Sequence, residues 1–320
     1  MKVTAPHLVP SSQKLDIIYV ACGPNHFTAV TRSGNLYTWG FGESGRLGLG
    51  SPQHVPIPTT VPKLRGVISV SCGDSNSAAI TSEGDLYTWG CGLSGQLGHG
   101  DNVTQFLPKR LTNGFSSEIK IRHIACGPFH SAAISEGGSV YTWGDGFGGK
   151  LGHGSAESLS TPMRIEELTE VLHVSCGWWH TAAVARIASS DDELESHRMA
   201  LYTWGGHCSW RGDTNKGCLG TGAKTGEWLP TLIQGQLANK SVKSVACGLN
   251  LTVVLTRDGG VYQMGTTAAE DAPVRWEGAT EPTRVEGPLK RIHAEQAPPH
   301  SLAYPPAVNG LPRWLVESNM

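Results

Sequence analysis

Short runs in which apolar and polar positions alternate, each closed by a glycine-containing turn, recur along this chain with the period of a strand and not of a helix. His26 to Thr31 is one such run, Arg32 to Asn35 holds a turn glycine, and Leu36 to Trp39 is rich in aromatic and β-branched residues. That sequence predicts a β-hairpin. A strand around Ile17 to Ala21 precedes it, and another is expected near a Pro-x-x-(Val/Leu/Ile) marker. The turn glycine returns as Gly34, Gly84, Gly138 and Gly259 or Gly260, where a residue without Cβ takes positive φ at little cost.

The hairpin is part of a longer repeat. Cys-Gly occurs at Cys22, Cys72, Cys126, Cys176 and Cys247, at intervals of 50, 54, 50 and 71 residues. A Trp-Gly pair follows at Trp39, Trp89, Trp143 and Trp204, with Met264-Gly in the fifth copy, and these tryptophans are expected to be equivalent buried core residues. Gly-x-Leu-Gly-x-Gly comes next at Gly45 to Gly50, Gly95 to Gly100, Gly149 to Gly154 and Gly217 to Gly222, and the fifth copy has lost it. Proline markers begin at Pro6, Pro58, Pro108, Pro162, Pro230 and Pro282. After the sixth, LKRIHAEQ (Leu289 to Gln296) begins like a repeat but has no Cys-Gly. The reading is an N-terminal stub with a closing strand (1–16), repeats at 17–66, 67–118, 119–170, 171–241 and 242–289, and a degenerate Pro-rich segment (290–320). Four short strands per copy, repeated radially, make an all-β propeller of about five blades.

The combination VACGPNHFTAV, LYTWG and GRLGLG resembles the repeat of the regulator-of-chromosome-condensation (RCC-type) family, in a style like its plant members, among them relatives of a UV-B photoreceptor. The resemblance runs from about Pro6 to Leu289 and implies a propeller whose family form has seven blades. Seven blades at about 50 residues need roughly 350, so the ring is expected to be incomplete, with open edges that invite self-association.

Composition adds exclusions. Gly reaches 41 of 320 residues, while charged residues are 16% and the net charge is -2, which leaves no basic footprint for nucleic acid. No run of about 18 apolar residues suits a membrane span, and Met1 to Lys14 lacks the apolar stretch of a signal peptide. The expected location is cytoplasmic, nuclear or both, with the eight cysteines reduced.

No constellation points to catalysis, a cofactor or a metal. The Cys-Gly cysteines lie in different blades, and Cys91, Cys208 and Cys218 lack zinc-ligand spacing. His26, His130 and His180 share a position that other copies fill with Asn76 and Leu251, so they read as spacers between blades and not as a general base. GDGFGGK (Gly144 to Lys150) nearly fits a phosphate-binding loop, but Leu151 stands where a hydroxyl is required and the segment is in register with GFGESGR and GCGLSGQ. UV-B photoreception ranks low, because only Gly177 to Thr181 (GWWHT) carries tryptophan in place of that photoreceptor's Gly-Trp-Arg-His-Thr, and its arginine is absent.

Partner binding is expected in the fourth copy. Its enlarged hairpin loop carries Asp191, Asp192 and Glu193, the insertion between Trp204 and Gly222 carries Trp210, Arg211, Asp213 and Lys216, and Trp178 and Trp179 stand beside His180. Insertions into a repeat scaffold build binding faces, and Trp and Arg anchor interfaces. The leading expectation is a non-catalytic protein-interaction scaffold. A guanine-nucleotide exchange factor for a small GTPase comes second, since it needs no acid or base, and chromatin binding third.

Overall fold

In the first copy IIYVAC, HFTAVT, LYTWG and VPIPTT form strands β1 (Ile17–Cys22), β2 (His26–Thr31), β3 (Leu36–Gly40) and β4 (Val55–Thr60). The computed structural model describes residues 15–116, 118–187, 198–206, 217–223, 225–266 and 279–285. They lie within one unit, Val9–Val285; the other, Met1–Leu8 with Glu286–Met320, falls outside them. The same meander returns as β5 (Val67–Cys72), β6 (Asn76–Thr81), β7 (Leu86–Gly90) and β8 (Gln105–Arg110), then β9 (Ile121–Cys126), β10 (His130–Ser135), β11 (Val140–Gly144) and β12 (Leu159–Arg164). Blade 4 comprises β13 (His173–Cys176), β14 (His180–Arg186), β15 (Met199–Gly205) and β16 (Glu227–Leu232), and blade 5 comprises β17 (Val242–Cys247), β18 (Leu251–Thr256), β19 (Val261–Gly265) and β20 (Ala279–Arg284). Each set is one antiparallel four-stranded sheet with its strands in chain order. Five blades of an RCC-type propeller result, each packed on the next.

Blades in the middle are covered on both faces. All six residues of β6 and of β10 are buried, which is why, after Asn76 and His130 at their first positions, both alternating sets there are apolar, small or hydroxylic. The core is accordingly a series of layers between sheets, such as Val30, Leu36, Val61, Val70 and Trp89 between blades 1 and 2.

The repeat motifs are the chemistry of these junctions. In blade 2 the LYTWG threonine, Thr88, donates to the Leu97 carbonyl at 2.7 Å and so fastens the glycine-rich loop to its own blade; Thr142 and Thr203 do the same for Leu151 and Leu219. The loop then hooks the following blade. The Gln96 carbonyl accepts Trp143 Nε1–H at 2.9 Å and the Ser131 hydroxyl at 2.9 Å, and the Gly100 N–H donates to the Ser160 carbonyl of the outer strand at 2.8 Å. Gly98 must be glycine, because at φ +82 a Cβ would stand 2.9 Å from Trp143 Nε1. Cys-Gly serves the axis: a Cβ on Gly73 would lie 2.4 Å from the Gly127 carbonyl oxygen of the next blade.

The histidines extend the same junctions. His26, His130 and His180 meet Ser77, Thr181 and Thr252 at 2.7, 2.7 and 2.8 Å through Nε2. Each hydroxyl donates its one proton to a carbonyl, of Arg46, Lys150 and Cys218, so the imidazole must donate from Nε2. Burial pushes His26 down to about 3 and His180 to about 4, and His130 well below its ordinary value. These are neutral spacers between blades.

One expectation needs correction. Trp89, Trp143 and Trp204 are fully buried, but Trp39 is half-buried and stacks on Phe27, with ring centroids 5.6 Å apart. The cause is the leading face of blade 1, which no described sheet covers: Val20 is 67% exposed, whereas Val70 and Val174 at the same repeat position are 2% and 1%. The Cys-Gly cysteines lie in different blades, as expected. They end consecutive first strands, and Thr28 of blade 1 lies 3.3 Å from Cys72 Sγ of blade 2. Burial raises the thiols of Cys72, Cys126 and Cys247 to about 12, and no cluster of three potential metal ligands exists among the described residues. The turn glycine left open in the fifth copy is Gly259, at φ +84.

Candidate functional site

The junction of blades 3 and 4 departs from the others. The position before the histidine is Asn25, Ser75 and Asn250 in three copies but Phe129 and Trp179 here, with Trp178 beside the latter. The residue whose carbonyl receives the next blade's indole or hydroxyl is Arg46, Gln96 and Cys218 elsewhere and Lys150 here. Backbone geometry fixes the frame: Asp145 N–H donates to the Phe129 carbonyl at 2.9 Å and Gly206 N–H to the Trp179 carbonyl at 2.8 Å, as Cys91 does to Ser75.

Within that frame the Lys150 amine is sealed from solvent. It pairs with the Asp145 carboxylate and lies 5.8 Å from the Phe129 ring centroid, 5.7 Å from Phe147 and 5.2 Å from Trp179. Burial lowers its pKa, opposed by the Asp145 charge. Asp145 is held in turn by the Phe147 N–H at 3.2 Å and the Ser158 hydroxyl at 3.4 Å. Phe129 meets Trp178 edge-on at 6.1 Å, and Phe147 meets Trp179 at 6.4 Å. Phe147 is 43% exposed, while Phe129, Trp178 and Trp179 are half-buried. Aromatic rings held rigid around a buried cation, with an edge in water, form a surface suited to docking another protein. The chain continues from Lys150 into β12 and not into a helix, so no phosphate-binding loop exists there.

Of the residues singled out in the sequence, Trp178 and Trp179 belong to this cluster. Trp210, Arg211, Asp213 and Lys216, and Asp191, Asp192 and Glu193, lie outside the described residues. Their points of departure are nevertheless separated. The 207–216 insertion leaves from Gly206, bonded to Trp179, whereas the acidic loop leaves from the far end of β14, beyond Arg186, roughly 20 Å away along the strand. Sequence reasoning missed Phe129, Asp145, Phe147 and Lys150. The signal was available as a departure from the repeat: Phe129 and Trp179 stand where other copies carry Asn25, Ser75 and Asn250, and Lys150 where they carry Arg46, Gln96 and Cys218.

Comparison with known proteins gives the setting. The family model described as RCC1-like domain matches residues 1–205, and that of the regulator of chromosome condensation (RCC1) repeat matches 200–255. The chain is 35% identical over 267 residues to the human E3 ubiquitin-protein ligase HERC2, covering 82% of this chain and 4% of that protein. It is 34% identical to the ultraviolet-B receptor UVR8 and 37% identical to the mitochondrial RCC1 domain-containing protein RUG3, both of Arabidopsis thaliana, over 77% and 78% of this chain. It spans about half the length of each, 52% and 53%. Among solved structures, human WBSCR16 superposes with a TM-score of 0.71 at 21% identity, covering 85% of this chain and 67% of that one. Prp20p from Saccharomyces cerevisiae, described with its binding to Gsp1p and histones, gives 0.62 at 24%, covering 75% and 56%.

Proposed function

Because the chain belongs to the RCC1-like family of repeat propellers, we propose that it is a non-catalytic docking scaffold whose protein-binding surface is the aromatic cluster of blades 3 and 4. One observation carries the reading: Phe129, Phe147, Lys150, Trp178 and Trp179 converge at a junction whose counterparts hold their blades together without them. Residues that the repeat does not require, yet that seal a lysine from water, serve something other than the fold. Phe147→Ser tests this, because Phe147 lies in the glycine-rich loop, outside every strand, with 43% of its surface exposed. The variant is expected to keep its melting temperature and to lose, by about 30-fold in affinity, the proteins that the parent recovers in a pull-down read by mass spectrometry. An unchanged set of recovered proteins overturns the proposal.

Exchange activity toward a small GTPase is the second reading. It is favoured by the departure point of the 207–216 insertion, Gly206, whose N–H bonds the Trp179 carbonyl, and by the fold shared with a protein described as binding Gsp1p. A nucleotide-release assay over a panel of small GTPases decides it. Acceleration that Phe147→Ser abolishes supports it; no acceleration removes it and leaves the docking scaffold.

A further inference from the structure

Resting on that docking reading, we infer that the partner presents a basic segment, its arginine or lysine stems lying on Phe147 and Trp179 and its cationic heads reaching the carboxylates of Asp145 and Glu157. Charge at the site supports this. Along the loop from Asp145 to Ser158 the ionised side chains are Asp145, Lys150 and Glu157. Burial lowers the pKa of His153 and keeps it neutral at pH 7. Lys150 is wholly buried and neutralised by Asp145, so the net charge of this loop is that of the exposed Glu157, while the paired Asp145 carboxylate keeps 22% of its side chain exposed. The two residues lie on adjoining backbone, since Ser158, next to Glu157, bonds the Asp145 carboxylate and the Glu157 carbonyl packs on Gly146. Beside them stand aromatic surfaces, which attract the apolar stems of basic side chains and the cations they carry. An acidic segment meets like charge here, and a purely apolar one leaves the Glu157 carboxylate unanswered.

The test uses the full chain and amidated glycine–serine peptides carrying spaced arginines, glutamates or leucines, titrated by calorimetry. The arginine peptide is expected to bind at least about 10-fold tighter than either other peptide. Phe147→Ser should weaken it by a similar factor. Asp145→Asn alone would strand a buried amine, so the carboxylate is removed in the double variant Asp145→Asn/Lys150→Gln, which installs at position 150 the glutamine that blade 2 carries as Gln96; it should fold and bind the arginine peptide about 10-fold more weakly. Equal affinity for the arginine and leucine peptides, tighter binding of the glutamate peptide, or full affinity in both variants overturns the inference. The two proposals fail separately. Loss of partner recovery in Phe147→Ser together with a preference for leucine or glutamate peptides leaves the docking surface standing and removes the basic segment, whereas unchanged recovery removes the docking surface itself.

Discussion

His180 donates to Thr252 from Nε2 whether or not the ring is charged, but protonation would place a second N–H on the buried Nδ1, which has no hydrogen-bond partner, and a charge where burial disfavours one. Its folded pKa lies near 4 and its unfolded value near 6.5, so the unfolded chain takes up a proton first as the pH falls. The stabilisation is therefore complete above about pH 6.5 and is lost on the way down to about 4, on the order of 3 kcal/mol for this residue. His123 and His173 push the same way. Their rings are 4.6 Å apart across blades 3 and 4, and burial lowers both pKa values, with Arg122 adding to the effect. Asn76 fills the histidine position in blade 2 without a titrating group. Melting temperatures measured from pH 7 to pH 4 should fall less steeply for His180→Asn than for the parent, and parallel curves would show that the histidines are protonated at no cost.

At the scale of the element, the unit of construction is the glycine loop with the socket it enters. Gly98→Ala should destabilise by about 3 kcal/mol, from backbone strain at positive φ together with collision with the Trp143 indole. Gly259→Ala separates the two causes, since φ is +84 but nothing lies within 4 Å of the added Cβ, and it should cost only about 1 kcal/mol. Chemical denaturation of both variants measures the difference; equal losses would mean that the indole yields freely. These elements were legible in the sequence because their causes are local: strand alternation, a turn glycine, and a motif repeated often enough to fix its register. The cluster at Lys150 was not, because its members come from two blades. In one dimension GDGFGGK resembled its repeat neighbours so closely that the substitutions within it carried no weight. Trp39 shows the converse error, since identical sequence in LYTWG led to the expectation of identical burial, while burial depends on the blade that precedes it.

For the whole molecule the decisive contrast is between junctions that are filled and the face of blade 1 that no described sheet covers. Val70→Ala should cost about 2 kcal/mol or more, and Val20→Ala less than about 0.5 kcal/mol, although both stand two residues before a Cys-Gly cysteine. Equal shifts in melting temperature would place a covering layer over Val20. The latch has a wider meaning for how damage spreads. The glycine belongs to one copy and the indole it accommodates to the next, so a lesion in the gene for one repeat is felt in the protein one blade downstream. A survey that assigned each harmful variant to the repeat it altered would blame the wrong blade, and a segment exchanged between copies would have to run from one socket through the following latch to be inherited intact.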